Sequence, residues 1–113
     1  MSEEAKEFFE KFKGDMGKMQ ELAPGTVNGF MGLFKKVMAD GAMTTREKEL
    51  VALGIGVAAQ CGPCIRLHTQ KCLDAGATKE QIIEAGSVAV MMAGGPAFTH
   101  LGMVIETLEA LGA

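Results

Sequence analysis

Residues 44–76 read TTREKELVALGIGVAAQCGPCIRLHTQKCLDAG. Thr44, followed three residues later by Glu47, is a capping-box pattern in which hydroxyl and carboxylate each satisfy a free backbone N–H of a first helical turn. The apolar residues after it recur at helical rather than strand spacing, which predicts a helix to about Gln60. Cys61, Gly62, Pro63 and Cys64 then fit the opening of a second helix. A proline in the first turn lacks only an N–H that has no partner there. Gly76 closes this second helix. Outward from this pair the same period continues. Upstream, Phe8, Phe12, Met16 and Met19 fall near one face of a helix over about Ser2 to Leu22, which Pro24 and Gly25 break. Val27, Phe30, Met31, Phe34, Val37 and Met38 share a face of the next run, which Asp40 and Gly41 end. Downstream, Thr78 and Gln81 repeat the capping-box pattern and open a helix through Ala93. Gly94, Gly95 and Pro96 separate it from a last helix ending near Leu111. No segment alternates strictly, so the expected class is all-α with about six helices in one domain over residues 1–113.

Composition narrows the function. The 113 residues are 48% hydrophobic and 22% charged, with three prolines and no tryptophan or tyrosine, which excludes a disordered chain. Eleven Lys and Arg are spread among fourteen acids for a net charge of −3, so no basic stripe exists to follow a phosphate backbone and nucleic acid is not an expected partner. Met1 to Lys13 carries seven charges and no apolar core of a secretory signal, so a cytoplasmic location is expected. The most apolar stretch, Ala85 to Phe98, is shorter than the roughly 20 residues a bilayer span needs. It is expected to be buried core or subunit interface, not membrane. A mean hydropathy of +0.18 is high for so small a lone domain and points to a homo-oligomer.

Cysteine usage carries the chemistry. Three cysteines in an intracellular chain do not form a structural disulfide framework, and a CxxC pair there points to redox work or metal binding. Cys61, Cys64 and His68 at i, i+3 and i+7 share a helix face. A thiolate in the first turn is stabilised by free N–H groups and the positive dipole end, and His68, one turn after Cys64, is placed to exchange a proton with it. Activation by itself is modest. Lowering a thiol pKa from about 8.5 to 6.5 raises the thiolate fraction at pH 7 roughly 25-fold, but nucleophilicity falls roughly 8-fold, leaving about a threefold gain. A resolving thiol and an acid for the leaving group matter more. Zinc is the rival use: Cys61, Cys64 and His68 with Cys72 or His100 would supply four ligands, although structural zinc usually joins two separated ligand pairs. Cys72, rotated by about 80° from Cys64, reads as a core or interface thiol. His100 reads as a surface or satisfied histidine, Glu47, Glu80 and Glu84 as cap and surface charges, and the nine methionines as core filling. On the preceding helix Glu49, Ala52, Gly56 and Ala59 form a small-residue stripe with one carboxylate at its end. If that stripe meets the CxxC helix, Glu49 needs a partner such as His68 or a bridging water.

Glu49, Cys61, Cys64 and His68 together resemble the pattern Ex11CxxCx3H of the alkylhydroperoxidase D-like, or carboxymuconolactone decarboxylase, family, over roughly Thr44 to Gly95. The resemblance implies an all-helical fold assembled into trimers or hexamers, and a redox dithiol served by a proton relay without a further cofactor or metal. Carried onto this chain, it makes Cys64 the thiol activated through His68 and Glu49, and Cys61 its disulfide partner. Peroxidase members often have histidine or serine just before the second cysteine, where this chain has Pro63. CGPC is also the thioredoxin tetrapeptide, but the helical run Leu50 to Gln60 and the absence of tryptophan rule out that fold.

The expected function is therefore a thiol-disulfide oxidoreductase acting on a disulfide or hydroperoxide, with a thioredoxin-like or dihydrolipoyl electron donor. The alternatives are a zinc-binding or redox-sensing protein without turnover, and a cofactor-free lactone decarboxylase that needs neither cysteine. From the residues alone the first attacking thiol stays open: exposure at the helix start favours Cys61, the histidine favours Cys64. Pro63 stiffens the turn and offers no side-chain proton to a departing alkoxide. By analogy with thioredoxin it favours a couple near −270 mV rather than −120 mV, which ranks disulfide above hydroperoxide as substrate.

Overall fold

In the computed structural model, which describes residues 2–113, the chain is six α-helices with no strand among the described residues. They are α1 (Ser2–Leu22), α2 (Pro24–Met38), α3 (Thr45–Ala58), α4 (Gly62–Asp74), α5 (Lys79–Ala93) and α6 (Gly95–Ala110). Local signals set most boundaries. Thr44 caps α3 by accepting the Glu47 N–H at 3.1 Å, while the Glu47 carboxylate accepts the Thr44 N–H at 2.8 Å. Thr78 and Gln81 repeat the exchange at 3.1 and 2.9 Å to start α5. Pro24 corrects the sequence reading. Rather than only breaking α1, it occupies the first turn of α2, so a single residue, Ala23, separates the two helices.

The ends of α3, α4 and α6 share one C-terminal device. After α4, the Gly76 N–H reaches Leu73 O at 3.0 Å and the Ala77 N–H reaches Cys72 O at 2.9 Å, with Gly76 at φ +92°. After α3, Gln60 and Cys61 make the same pair of bonds to Val57 O and Gly56 O, at 3.1 and 3.0 Å, yet the left-handed residue is Gln60, with φ +56°. The tight reversal that aims Cys61 into the first turn of α4 is thus made without glycine, at a steric cost of about 1 kcal/mol.

α3, α4, α5 and α6 enclose the core, which centres on Leu53, Val57, Ile65, Ile82, Val104 and Leu108. α1 lies on α6 and α2 beside α1 and α3. The stretch Ala85 to Phe98 divides: Gly86, Ala89 and Ala97 are buried, whereas Val88, Met91, Met92 and Phe98 are 59 to 75% exposed. The apolar face read in α2 is not core either. No residue of α2 is buried, and Phe30, Leu33 and Val37 are each more than half exposed.

Candidate functional site

Cys61 is the N-cap of α4, and Cys61 and Cys64 are joined as a disulfide with their Cα atoms 5.2 Å apart. The cap is a sulfur: Cys61 Sγ accepts the Cys64 backbone N–H at 3.2 Å. A thiolate formed at this position would keep that bond and face the positive end of the helix. Pro63 sits in the first turn, where its missing N–H deprives nothing.

α3 meets α4 closely because Gly56 lacks a side chain. A Cβ at Gly56 would lie 3.2 Å from Cys64 Cβ and 3.5 Å from the Ile65 nitrogen. Cys64 is thereby packed directly on α3 at the buried Gly56. Along the same crossing, two turns back on α3 and one turn on along α4, Glu49 Oε1 lies 2.7 Å from His68 Nδ1. The Glu49 side chain is 3% exposed and that of His68 19%. An ionised carboxylate only accepts, so Nδ1–H is the donor and Nε2 remains the ring's free nitrogen. Such a pair can pass a proton at Nε2 while the carboxylate holds the ring and stabilises an imidazolium.

Further contacts fix the CxxC helix. Arg66 Nη1 donates to Glu106 Oε1 of α6 at 2.7 Å, with the two side chains 8 and 11% exposed. A separation of 40 positions puts this pair beyond any reading of local spacing. Cys72 is fully buried in the core, where burial, and secondarily the charge of Glu49, push its thiol from 9.0 up to about 12. It is an inert thiol at neutral pH. His100 lies away from this constellation and donates through Nδ1 to the Pro96 carbonyl at 2.8 Å. Among the described residues no three His, Cys, Asp or Glu side chains gather in a group that could hold a metal ion. No described helix is long and apolar enough to cross a membrane.

Residues 24–104 match the carboxymuconolactone decarboxylase family, and the chain belongs to that family. It is 34% identical over 101 residues to the uncharacterised protein 4 in the cox locus of Paracoccus denitrificans, covering 89% of this chain and 91% of that one. Among solved structures it is similar to a carboxymuconolactone decarboxylase family protein of Legionella pneumophila in its apo form, with a TM-score of 0.91 and 29% identity over 97% of this chain and 98% of that one. It is also similar to a Thermotoga maritima family protein with a suggested involvement in antioxidative response. There the TM-score is 0.71 and the identity 31%, over 77% of this chain and 90% of the other.

Proposed function

We propose that the protein is a thiol-disulfide oxidoreductase in which Cys61 and Cys64 cycle between dithiol and disulfide, with His68 and Glu49 as the proton relay. The observation that carries this reading is the buried Glu49 bonded to His68, one turn beyond a Cys61–Cys64 disulfide at the start of α4. In the half-reaction that reduces substrate, one thiolate attacks a substrate disulfide RSSR′, forming a mixed disulfide and releasing one thiol protonated through His68. The second cysteine attacks the mixed disulfide and releases the other thiol, so the dithiol loses two electrons and two protons to the substrate. With a hydroperoxide ROOH, the O–O bond breaks to give ROH and a sulfenic acid, and the second thiol condenses with it to release water. A thioredoxin-like or dihydrolipoyl dithiol returns two electrons and two protons to the Cys61–Cys64 disulfide, which suits the reducing conditions of the cytoplasm.

Disulfide reduction ranks above peroxide reduction in this reading, because Pro63 supplies no proton to a departing alkoxide and favours a strongly reducing couple. The working form is a homo-oligomer, supported by the exposed Phe30, Leu33, Val37, Val88, Met91 and Met92. The test is a turnover assay with a disulfide and a hydroperoxide side by side, supplied with a dithiol reductant. Faster disulfide turnover and a potential below about −200 mV are expected. Hydroperoxide turnover well above disulfide turnover would overturn the ranking, and lactone decarboxylation that survives loss of both cysteines would overturn the function.

A further inference from the structure

The Glu49–His68 pair is closed on its inner side by α3, and an aromatic ring covers the imidazole from another helix. Phe34 of α2 stacks on His68 with ring centroids 6.1 Å apart and planes inclined by 26°. Lys71, one turn beyond His68, sets its ammonium 4.9 Å from the centroid of the same Phe34 ring. This contact is notable in a helix that contributes nothing to the core: Phe34 is half-buried while Phe30 and Leu33 beside it are about 60% exposed. The end of α2 that follows Phe34 is pinned to the first turns of α3, the helix that carries Glu49. Lys48 Nζ donates to Val37 O at 2.9 Å and Ala39 O at 2.6 Å, and Thr45 Oγ1 donates to Met38 O at 2.8 Å. These bonds satisfy carbonyls a helix end leaves free, and they fix the height of Phe34 over the relay.

We propose that Phe34 is a positioning residue for the thiol chemistry, which rests on the dithiol reading above: its ring holds the His68 imidazole in register with Glu49 and keeps water off the Nδ1–H···Oε1 bond. A flat ring suits both forms of the histidine, stacking on neutral imidazole and presenting its negative face to imidazolium. Excluding water also strengthens the pair by lowering the local dielectric. Of the charged groups in this region, Glu49 of α3 bonds to His68, Lys71 of α4 stands over Phe34, and Arg66 of α4 is paired with Glu106 of α6, with the Glu4 carboxylate of α1 3.9 Å from its guanidinium.

The test uses the full chain with Phe34→Leu, which keeps apolar bulk without a ring, Phe34→Tyr, which keeps the ring, and Lys48→Met, which removes the ties to the end of α2 and leaves Phe34 itself unchanged. Only two histidines are present, so the nitrogen-15 resonances of His68 and His100 separate readily. In the wild-type protein and F34Y, the His68 Nδ1 proton should exchange slowly and the His68 ring protons should carry a ring-current shift. F34L should lose that shift, exchange the proton about five- to tenfold faster, and lower kcat by a similar factor with KM nearly unchanged. K48M should fall between. Wild-type exchange and wild-type kcat in F34L would overturn the proposal, as would a loss of kcat in F34Y equal to that in F34L. Faster exchange in F34L, in a protein with no thiol turnover at all, would instead overturn the dithiol reading and leave the shielding by Phe34 in place.

Discussion

His68 holds a carboxylate 3% exposed to solvent through a 2.7 Å bond, and burying that charge is tolerable only while the partner remains. His68→Ala should therefore slow thiol turnover by about 10²- to 10⁴-fold, the usual cost of losing a general acid or base. Glu49→Gln, which keeps the shape and removes the charge, should fall in the same range. A Glu49→Gln protein that stays folded with full steady-state activity would remove Glu49 from the relay. Cys72 makes a separate prediction. Its thiol is raised to about 12, so below pH 9 iodoacetamide should label Cys61 and Cys64 in the reduced folded protein and spare Cys72 until denaturant is added. Because the folded thiol is harder to ionise than the unfolded one, the stability it confers is complete below about pH 9.0 and is lost as pH rises toward 12. Denaturant midpoints across pH 8 to 12 read this loss directly, and a midpoint unchanged over that range would contradict it. At this scale the CxxC and His68 were legible in the sequence because their spacing is local to one helix. The Glu49–His68 bond depends on how α3 crosses α4, which the small-residue stripe hinted at but did not fix. Phe34 over His68 left no signal, since its apolar stripe in α2 looks like any core-facing face.

Between α3 and α4 the chain reverses through Gln60, the one non-glycine residue with positive φ among the described residues, directly before Cys61. The corresponding positions after α4 and α6 are Gly76 and Gly112. Gln60→Gly should raise stability by about 0.5–1 kcal/mol, the left-handed penalty less the added entropy of the unfolded chain. Denaturant unfolding of the reduced and oxidised protein checks this, and a loss of stability would show that the Gln60 side chain is needed. Helix starts with side-chain caps, at Thr44 and Thr78, were readable because both partners lie within four residues. Pro24 was half legible: its ring forbids an interior position in α1 and equally favours the first turn of α2. The Arg66–Glu106 tie was not readable, for partners 40 residues apart share no periodic pattern.

Taken as one chain, the molecule has a narrow core and a wide apolar surface. Val51, Ile55, Val88 and Met92 line an open apolar groove between α3 and α5 with a volume of about 420 Å³, and all four are at least half exposed. Patches of this kind on a small protein usually meet another surface. Light scattering at micromolar concentration should give three or six times the 11.9 kDa of the chain, and a monomeric mass would contradict the assembly. The all-α class was legible from period alone, whereas the division between core and outward faces was not, because both are apolar and helical. If Cys61 and Cys64 act as a redox pair, disulfide turnover with a dithiol reductant depends on both, and the decisive measurement is that turnover in Cys61→Ser and Cys64→Ser proteins that retain the wild-type helical content. Each substitution should abolish turnover. Activity undiminished in either one would contradict it.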